Sequence, residues 1–229
     1  MIAVIGDIHG CYFTLKNLVK QIRDKYPSIK LYSVGDLVDR GNFSYEVIEF
    51  LKSEDIKFTP GNHDYMFCYF IRQSQNKMAK AWLYNGYERT LESYKQHNDE
   101  VSGHLDLILS APLFIDLKDC FISHAGISKY YEDIFHKYYH SDMDILGDII
   151  RGDLDRSDSI LWARGELLNI GKLQVVGHTR REQVEFKQEC NVVYIDTSAY
   201  MMNKLSAVII EDNNILDILS ANTISEDIG

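Results

Sequence analysis

The chain has 229 residues, with 34 acidic against 24 basic side chains and a formal net charge of −10 at neutral pH. That length suits one domain over residues 1–229 with a sizeable core. The acidic balance argues against a nucleic-acid partner, whose footprint is a basic face, and against docking on an anionic membrane. It leaves an anionic substrate open, because bound cations can dominate a local field.

In chain order, Ile2-Ala3-Val4-Ile5 is a short apolar run closed by Gly6, which predicts a buried strand. Leu15, Leu18, Val19 and Ile22 then recur at helical spacing until Pro27 stops the helix. Ile29 to Val34 predicts a second strand, Val47, Ile48 and Leu51 a second amphipathic helix, and Ile56 to Thr59 a third strand. Residues 62–110 read as mostly helical and aromatic, and Pro112 ends them. Leu113 to Leu117 and Cys120 to Ser123 predict a hairpin turning at Lys118-Asp119. The segment 127–160 is polar, Tyr-rich and acidic, and its composition assigns it to no element. The last third reads as strands over 173–176, 184–187, 192–195, 205–210 and 215–219. A βαβα start and a β-rich end predict an α/β protein, with two sheets packed face to face and helices outside.

Cys11, Cys68, Cys120 and Cys190 are scattered without a CxxC pair, which speaks against a zinc ribbon or a thioredoxin-like site. Met1 leads directly into a strand-like run, with no room for a signal peptide, and no apolar run approaches membrane-spanning length. A cytoplasmic protein is expected.

In the first half of the chain the residues with chemistry lie in the loops just after the strands, where open α/β sheets bind ligands. The full set is Gly6-Asp7-Ile8-His9-Gly10, Gly35-Asp36-Leu37-Val38-Asp39-Arg40-Gly41, Gly61-Asn62-His63-Asp64, Ser123-His124-Ala125-Gly126, Trp162-Ala163-Arg164, Gly177-His178-Thr179 and Ile195-Asp196-Thr197. Asp and neutral His are common donors to Mn, Fe or Zn, a two-metal site needs a carboxylate that both ions can share, and guanidinium groups suit phosphate. Each segment has a plainer reading. Gly6-Asp7 could be a simple turn, and Asp36, Asp39 and Arg40 a solvated loop with one ion pair. Asn62-His63-Asp64 could be a helix N-cap with acidic first-turn support, and His124 and His178 structural histidines at strand ends. The pair His136 and His140, spaced i, i+4, reads as surface helix rather than a zinc site, because no Glu stands at the position such a motif requires.

Taken in order and spacing, the whole set resembles the PPP family of metallophosphoesterases, the Ser/Thr protein phosphatases, and especially its small bacterial and phage members. The resemblance implies a calcineurin-like fold of two mixed β-sheets with flanking helices (α/β/β/α). It implies two divalent ions, Mn2+ first and Fe or Zn as alternatives. Asp7, His9 and Asp36 would hold one ion, Asp36, Asn62, His124 and His178 the other, and a shared water would be acidified into the attacking hydroxide. Arg40 and Arg164, with Asn62, would bind phosphate. His63 would protonate the leaving oxygen, oriented by Asp39. Two departures stand out: Asp64 where protein phosphatases usually have Glu, and Ser198 where Gly commonly follows the Ile-Asp-Thr segment. The implied substrate is a phosphoprotein or a small phosphorylated molecule. A diadenosine tetraphosphate hydrolase is the alternative, and an inactive scaffold of the same fold a third reading.

Overall fold

The computed structural model describes residues 1–229. Strand β1 (Ile2–Ile5) leads through helix α1 (Tyr12–Lys25) to β2 (Lys30–Ser33), and α2 (Ser44–Ser53) leads to β3 (Lys57–Phe58). Four helices follow: α3 (Asn62–Arg72), α4 (Lys77–Trp82), α5 (Tyr87–Ser93) and α6 (Val101–Ser110). The hairpin of β4 (Phe114–Asp116) and β5 (Phe121–Ser123) comes next, then α7 (Glu132–Tyr138) and α8 (Met143–Gly152). The chain ends with β6 (Gln174–Val176), β7 (Glu185–Lys187), β8 (Val192–Tyr194), β9 (Lys204–Glu211) and β10 (Asn214–Asn222).

The strands form two five-stranded sheets, ordered β10-β9-β1-β2-β3 and β4-β5-β6-β8-β7. Both are mixed. In the first, β1 pairs parallel with β2 and antiparallel with β9. In the second, β6 lies parallel between β5 and β8, while β4 and β7 run antiparallel at the edges. The period-two alternation of a strand shows how the sheets stack. Ile2, Val4, Val208 and Ile210 meet Ile122, Val175 and Val193 in one buried cluster between the sheets. Ala3, Ile5, Ala207 and Ile209 turn the other way and join the helix-facing core with Leu15, Leu18 and Ile22 of α1. Both faces of β1 are therefore buried, which is why its sequence is continuously apolar rather than alternating.

The strand expectations hold to within a few residues at each end, and the predicted hairpin pairs Phe114 with Ser123 in antiparallel register. Segment 127–160, unassigned from sequence, is chiefly helical, with α7 and α8 packing Phe135, Leu146 and Ile150 into the main core. His136 is an exposed residue of α7, but α7 ends at Tyr138, so His140 falls beyond it in a left-handed turn (φ 71°). All four cysteines are free. No helix is long and apolar enough to cross a membrane.

Candidate metal centre and active site

The loops after β1, β2, β6 and β8 and the segment between α8 and β6 converge with the start of α3 on one cavity of about 220 Å³. Its lining includes Asp7, Asp36, Arg40, Asn62, His63 and Arg164. Five of the singled-out residues, His9, Asp36, Asp39, Arg40 and His178, have φ between 48° and 73°. A side chain in this left-handed region costs the backbone energy, and such residues concentrate where geometry serves a site. Close backbone approach is the second local requirement. A Cβ on Gly177 would lie 1.8 Å from Asp7 Oδ1, and one on Gly61 would lie 2.0 Å from Asp36 Oδ1. Only glycine at these two positions lets the carboxylates occupy their places.

Hydrogen bonds fix which atoms face inward. His9 Nδ1 donates to the Val38 carbonyl at 3.0 Å, and His124 Nδ1 donates to the Val34 carbonyl at 2.8 Å. His178 Nδ1 lies 2.8 Å from Asn62 Oδ1. Burial, with the Arg40 charge next, holds the pKa of His9 well below its usual value, and burial does the same for His124. Burial, followed by His124 and Arg164, pulls His178 down to about 2. The three rings are therefore neutral, and in His9 and His124 the lone pair lies on Nε2.

The His124 lone pair faces only acceptors, and the His9 lone pair is shared between Arg40 Nη1 and the neighbouring Asp36 carboxylate. His124 Nε2 is 3.0 Å from Asn62 Oδ1 and 3.5 Å from Asp36 Oδ1, and His9 Nε2 is 3.4 Å from Asp36 Oδ2. His178 Nε2 and Asp7 Oδ1 are buried with no hydrogen-bond partner. Burial and then the neighbouring Asp196 and Asp36 carboxylates raise Asp7 well above the ordinary carboxylate range. Convergent acceptors of this kind are unfavourable without a cation between them, and carbonyl-anchored imidazoles are the usual support of metal-binding histidines. Two groups have ligand atoms all within 4.8 Å of one another: His9, Asp36 and His63, and Asp7, Asp36 and His124. Asp36 belongs to both. The donor set of imidazole nitrogens, carboxylates and an amide oxygen fits borderline divalent ions such as Mn, Fe or Zn. One difference from the sequence expectation is that His63, expected only as an acid, lies as close to His9 and Asp36 as a ligand would.

The remaining expected residues surround this centre. His63 Nδ1 donates to Asp39 Oδ2 at 2.6 Å. The backbone N–H of His63, at the start of α3, donates to Asp36 Oδ1 at 3.0 Å, so the shared carboxylate rests on a helix N-terminus. Arg40 Nη1 donates to His9 Nε2 at 2.7 Å, and its guanidinium carbon lies 4.2 Å from the centre of the Tyr200 ring. Arg164 donates to the His178 carbonyl at 3.3 Å from the exposed rim. Arg40 and Arg164 thus border one cavity from two sides, without a carboxylate partner.

Two contributors carried no sequence signal. Trp82 and Thr90 both donate to Asp39. Asp64 accepts from Leu37 N at 2.8 Å and from Gly61 N at 2.8 Å, tying the loop after β2 to the start of α3. A shorter Asp at this position therefore spans both loops. Ser198 stands in the left-handed region (φ 59°), the conformation that glycine adopts most cheaply, and its N–H donates to Asp196 Oδ1 at 2.9 Å. None of the tyrosines over 130–139 lines the cavity.

The calcineurin-like phosphoesterase family profile matches residues 1–204. The chain belongs to that family. Within it, the chain is a PPP-type metallophosphoesterase, and calcineurin-like phosphoesterases use dinuclear divalent metals. It is 28% identical over 220 residues to serine/threonine-protein phosphatase 2 of Salmonella typhimurium, covering 89% of each chain. It is 27% identical over 242 residues to an asymmetrical bis(5'-nucleosyl)-tetraphosphatase of Bacillus cereus, covering 95% of this chain and 94% of that one. The crystal structure of a cold-active protein-tyrosine phosphatase from a Shewanella species superposes with a TM-score of 0.64 over 96% of this chain and 80% of that chain. At 18% identity, it speaks for the fold alone.

Proposed function

We propose that residues 1–229 form one metallophosphatase domain that hydrolyses phosphomonoesters, with serine/threonine phosphoproteins as the substrate class. The observation that carries this reading is the His63–Asp39 pair at 2.6 Å. A seryl or threonyl alkoxide is a poor leaving group and needs a proton as the P–O bond breaks. His63 would supply it from Nε2, while Asp39, accepting at Nδ1, holds the ring in orientation and stabilises its cationic form. Arg40 and Arg164 would grip non-bridging phosphoryl oxygens and offset the charge that grows on them. Asp7, His9, Asp36, Asn62, His124 and His178 would hold the two cations, Mn2+ being the first choice. When bound, the cations acidify water and polarise phosphoryl oxygens. The Salmonella relative's name supports the phosphoprotein class. Four free cysteines, three of them buried, support a reducing, cytoplasmic setting.

A second reading is favoured by the Bacillus relative, which is matched along 95% of this chain. It makes the substrate a dinucleoside polyphosphate cut at a phosphoanhydride. The test compares turnover of phosphoserine peptides and diadenosine tetraphosphate by the Mn-loaded protein. Higher kcat/KM on the peptide is expected, and a strong preference for the dinucleotide would replace the first reading with the second. An inactive scaffold would bind no metal and turn over neither.

A further inference from the structure

We propose that Arg180 and Lys204 form a subsite for a second phosphate group, held beside the reacting phosphate and not itself hydrolysed. The proposal rests on reading the central cavity as a phosphate site, and it adds what the rest of the substrate must carry.

A groove of about 790 Å³ adjoins the central cavity, and Arg164 and Arg180 line both. The groove is polar, with Met201 its only apolar lining residue and no aromatic ring among its lining residues. Its cations differ in how they are engaged. Arg181 is paired with Glu185 and lies 4.5 Å over the Tyr194 ring. Arg180 has no carboxylate partner: it donates to the Tyr200 hydroxyl at 3.2 Å and rests on Met201 Sδ at 2.8 Å. Lys204, half-buried, likewise pairs with no acid, and Glu182 is the only acidic residue lining the groove. In a chain of net charge −10, free cations collected at one mouth are not a general surface property.

Tyr200 sets their spacing. Its ring lies 4.2 Å from the Arg40 guanidinium carbon, and its hydroxyl accepts from Arg180. A single side chain therefore separates the guanidinium expected on the reacting phosphate from the next one. Two phosphates carried close together on one molecule match that arrangement, whether on neighbouring residues of a peptide or within a polyphosphate chain. The plainer role of Arg180 is to offset the buried Asp196 carboxylate, whose pKa it helps lower against burial. That role leaves Lys204 without a purpose, and it predicts no dependence on a second phosphate.

The test uses the double variant Arg180→Gln/Lys204→Gln, both residues being at least partly exposed, with a melting curve to confirm folding. Kinetics on the Mn-loaded protein compare p-nitrophenyl phosphate, a peptide with two adjacent phosphoserines, and diadenosine tetraphosphate. We expect kcat/KM on a two-phosphate substrate to fall about tenfold or more relative to p-nitrophenyl phosphate, mainly through KM, as lost charge-assisted hydrogen bonds require. The substrate that shows this identifies the source of the second phosphate. Equal losses on all three, or none, overturn the subsite. Calorimetric titration with tripolyphosphate in EDTA measures the subsite without turnover. The wild-type protein should bind at least about tenfold more tightly than the variant, and equal affinity overturns the proposal. If the wild-type protein hydrolyses no substrate, the phosphatase reading fails and this titration still decides the subsite.

Discussion

The indole N–H of Trp82 is shared between both carboxylate oxygens of Asp39, at 2.9 and 2.8 Å. Thr90 Oγ1 donates to Oδ1 at 2.6 Å, the Asp39 N–H is satisfied by Thr90 Oγ1 at 2.9 Å, and His63 Nδ1 takes the remaining face of Oδ2. Asp39 has no exposed surface. A carboxylate there is tolerable only when saturated with donors, and the donors decide where it points. The orientation of His63 is thus set from α4 and α5, elements that contribute nothing else to the chemistry.

Trp82→Phe should retain packing against Phe67, Phe70 and Tyr87, whose ring centres lie 5.3, 4.8 and 5.4 Å away. It removes only the donor. We expect a stability loss of about 1–3 kcal/mol for an undersatisfied buried acceptor. We also expect roughly tenfold lower kcat on a phosphoserine peptide, with a smaller loss on p-nitrophenyl phosphate. If the two substrates lose equally, Trp82 is a packing residue and not a positioning one.

His63→Asn separates acid catalysis from metal binding. p-Nitrophenolate leaves well unprotonated, whereas a seryl alkoxide does not, so the loss should depend on the substrate. We expect about 10²–10⁴-fold lower kcat on the phosphoserine peptide and much less on p-nitrophenyl phosphate, with metal content nearly unchanged. The closeness of His63 to His9 and Asp36 makes the metal assay the sharper arm. Loss of metal would make His63 a ligand.

Sequence reading located the strands and the loops after them because both sheet faces are buried: continuous apolar runs such as Ile2–Ile5 end abruptly at glycines where the polar residues begin. The ligand-type residues were legible for the same reason, since several charged and His residues crowd short Gly-bounded loops. Trp82, Thr90 and Tyr200 were not legible. Each touches the site through a contact of long sequence separation, Trp82 to Asp39 and Arg40 to Tyr200 for example, and no local pattern records such a contact. Within segment 127–160, α7 buries little more than Phe135, so its apolar stripe is too narrow to show as a period, whereas α8 does carry a stripe, with Leu146 and Ile150 buried one turn apart.

Gly177→Ala tests whether the carboxylate's place depends on bare backbone. The added Cβ would sit 1.8 Å from Asp7 Oδ1 and 2.7 Å from Val34 Cγ2, contacts that force Asp7 aside. Overpacking of this kind costs about 1–3 kcal/mol. We expect lower thermal stability together with weaker metal binding by calorimetry. Normal metal affinity in a folded variant would show that Asp7 is not a ligand.

Asp36→Asn tests the shared carboxylate, and the two metal states should respond in opposite ways. Asn keeps an oxygen to accept the His63 N–H, now 3.0 Å from Oδ1, so the start of α3 should stay in place. The substitution also removes one buried charge beside Asp7. The metal-free variant should therefore melt at or above the metal-free wild type. Metal should stabilise the wild type by about 2.7 kcal/mol at a hundred times its dissociation constant, and should stabilise the variant far less, because both candidate groups lose their common ligand. Melting curves of both proteins in EDTA and in excess Mn2+ measure this directly. An equal Mn2+-induced shift in the two proteins would remove Asp36 from the metal centre. A metal-free variant far less stable than the metal-free wild type would show that the Asp36 charge serves the fold rather than a cation.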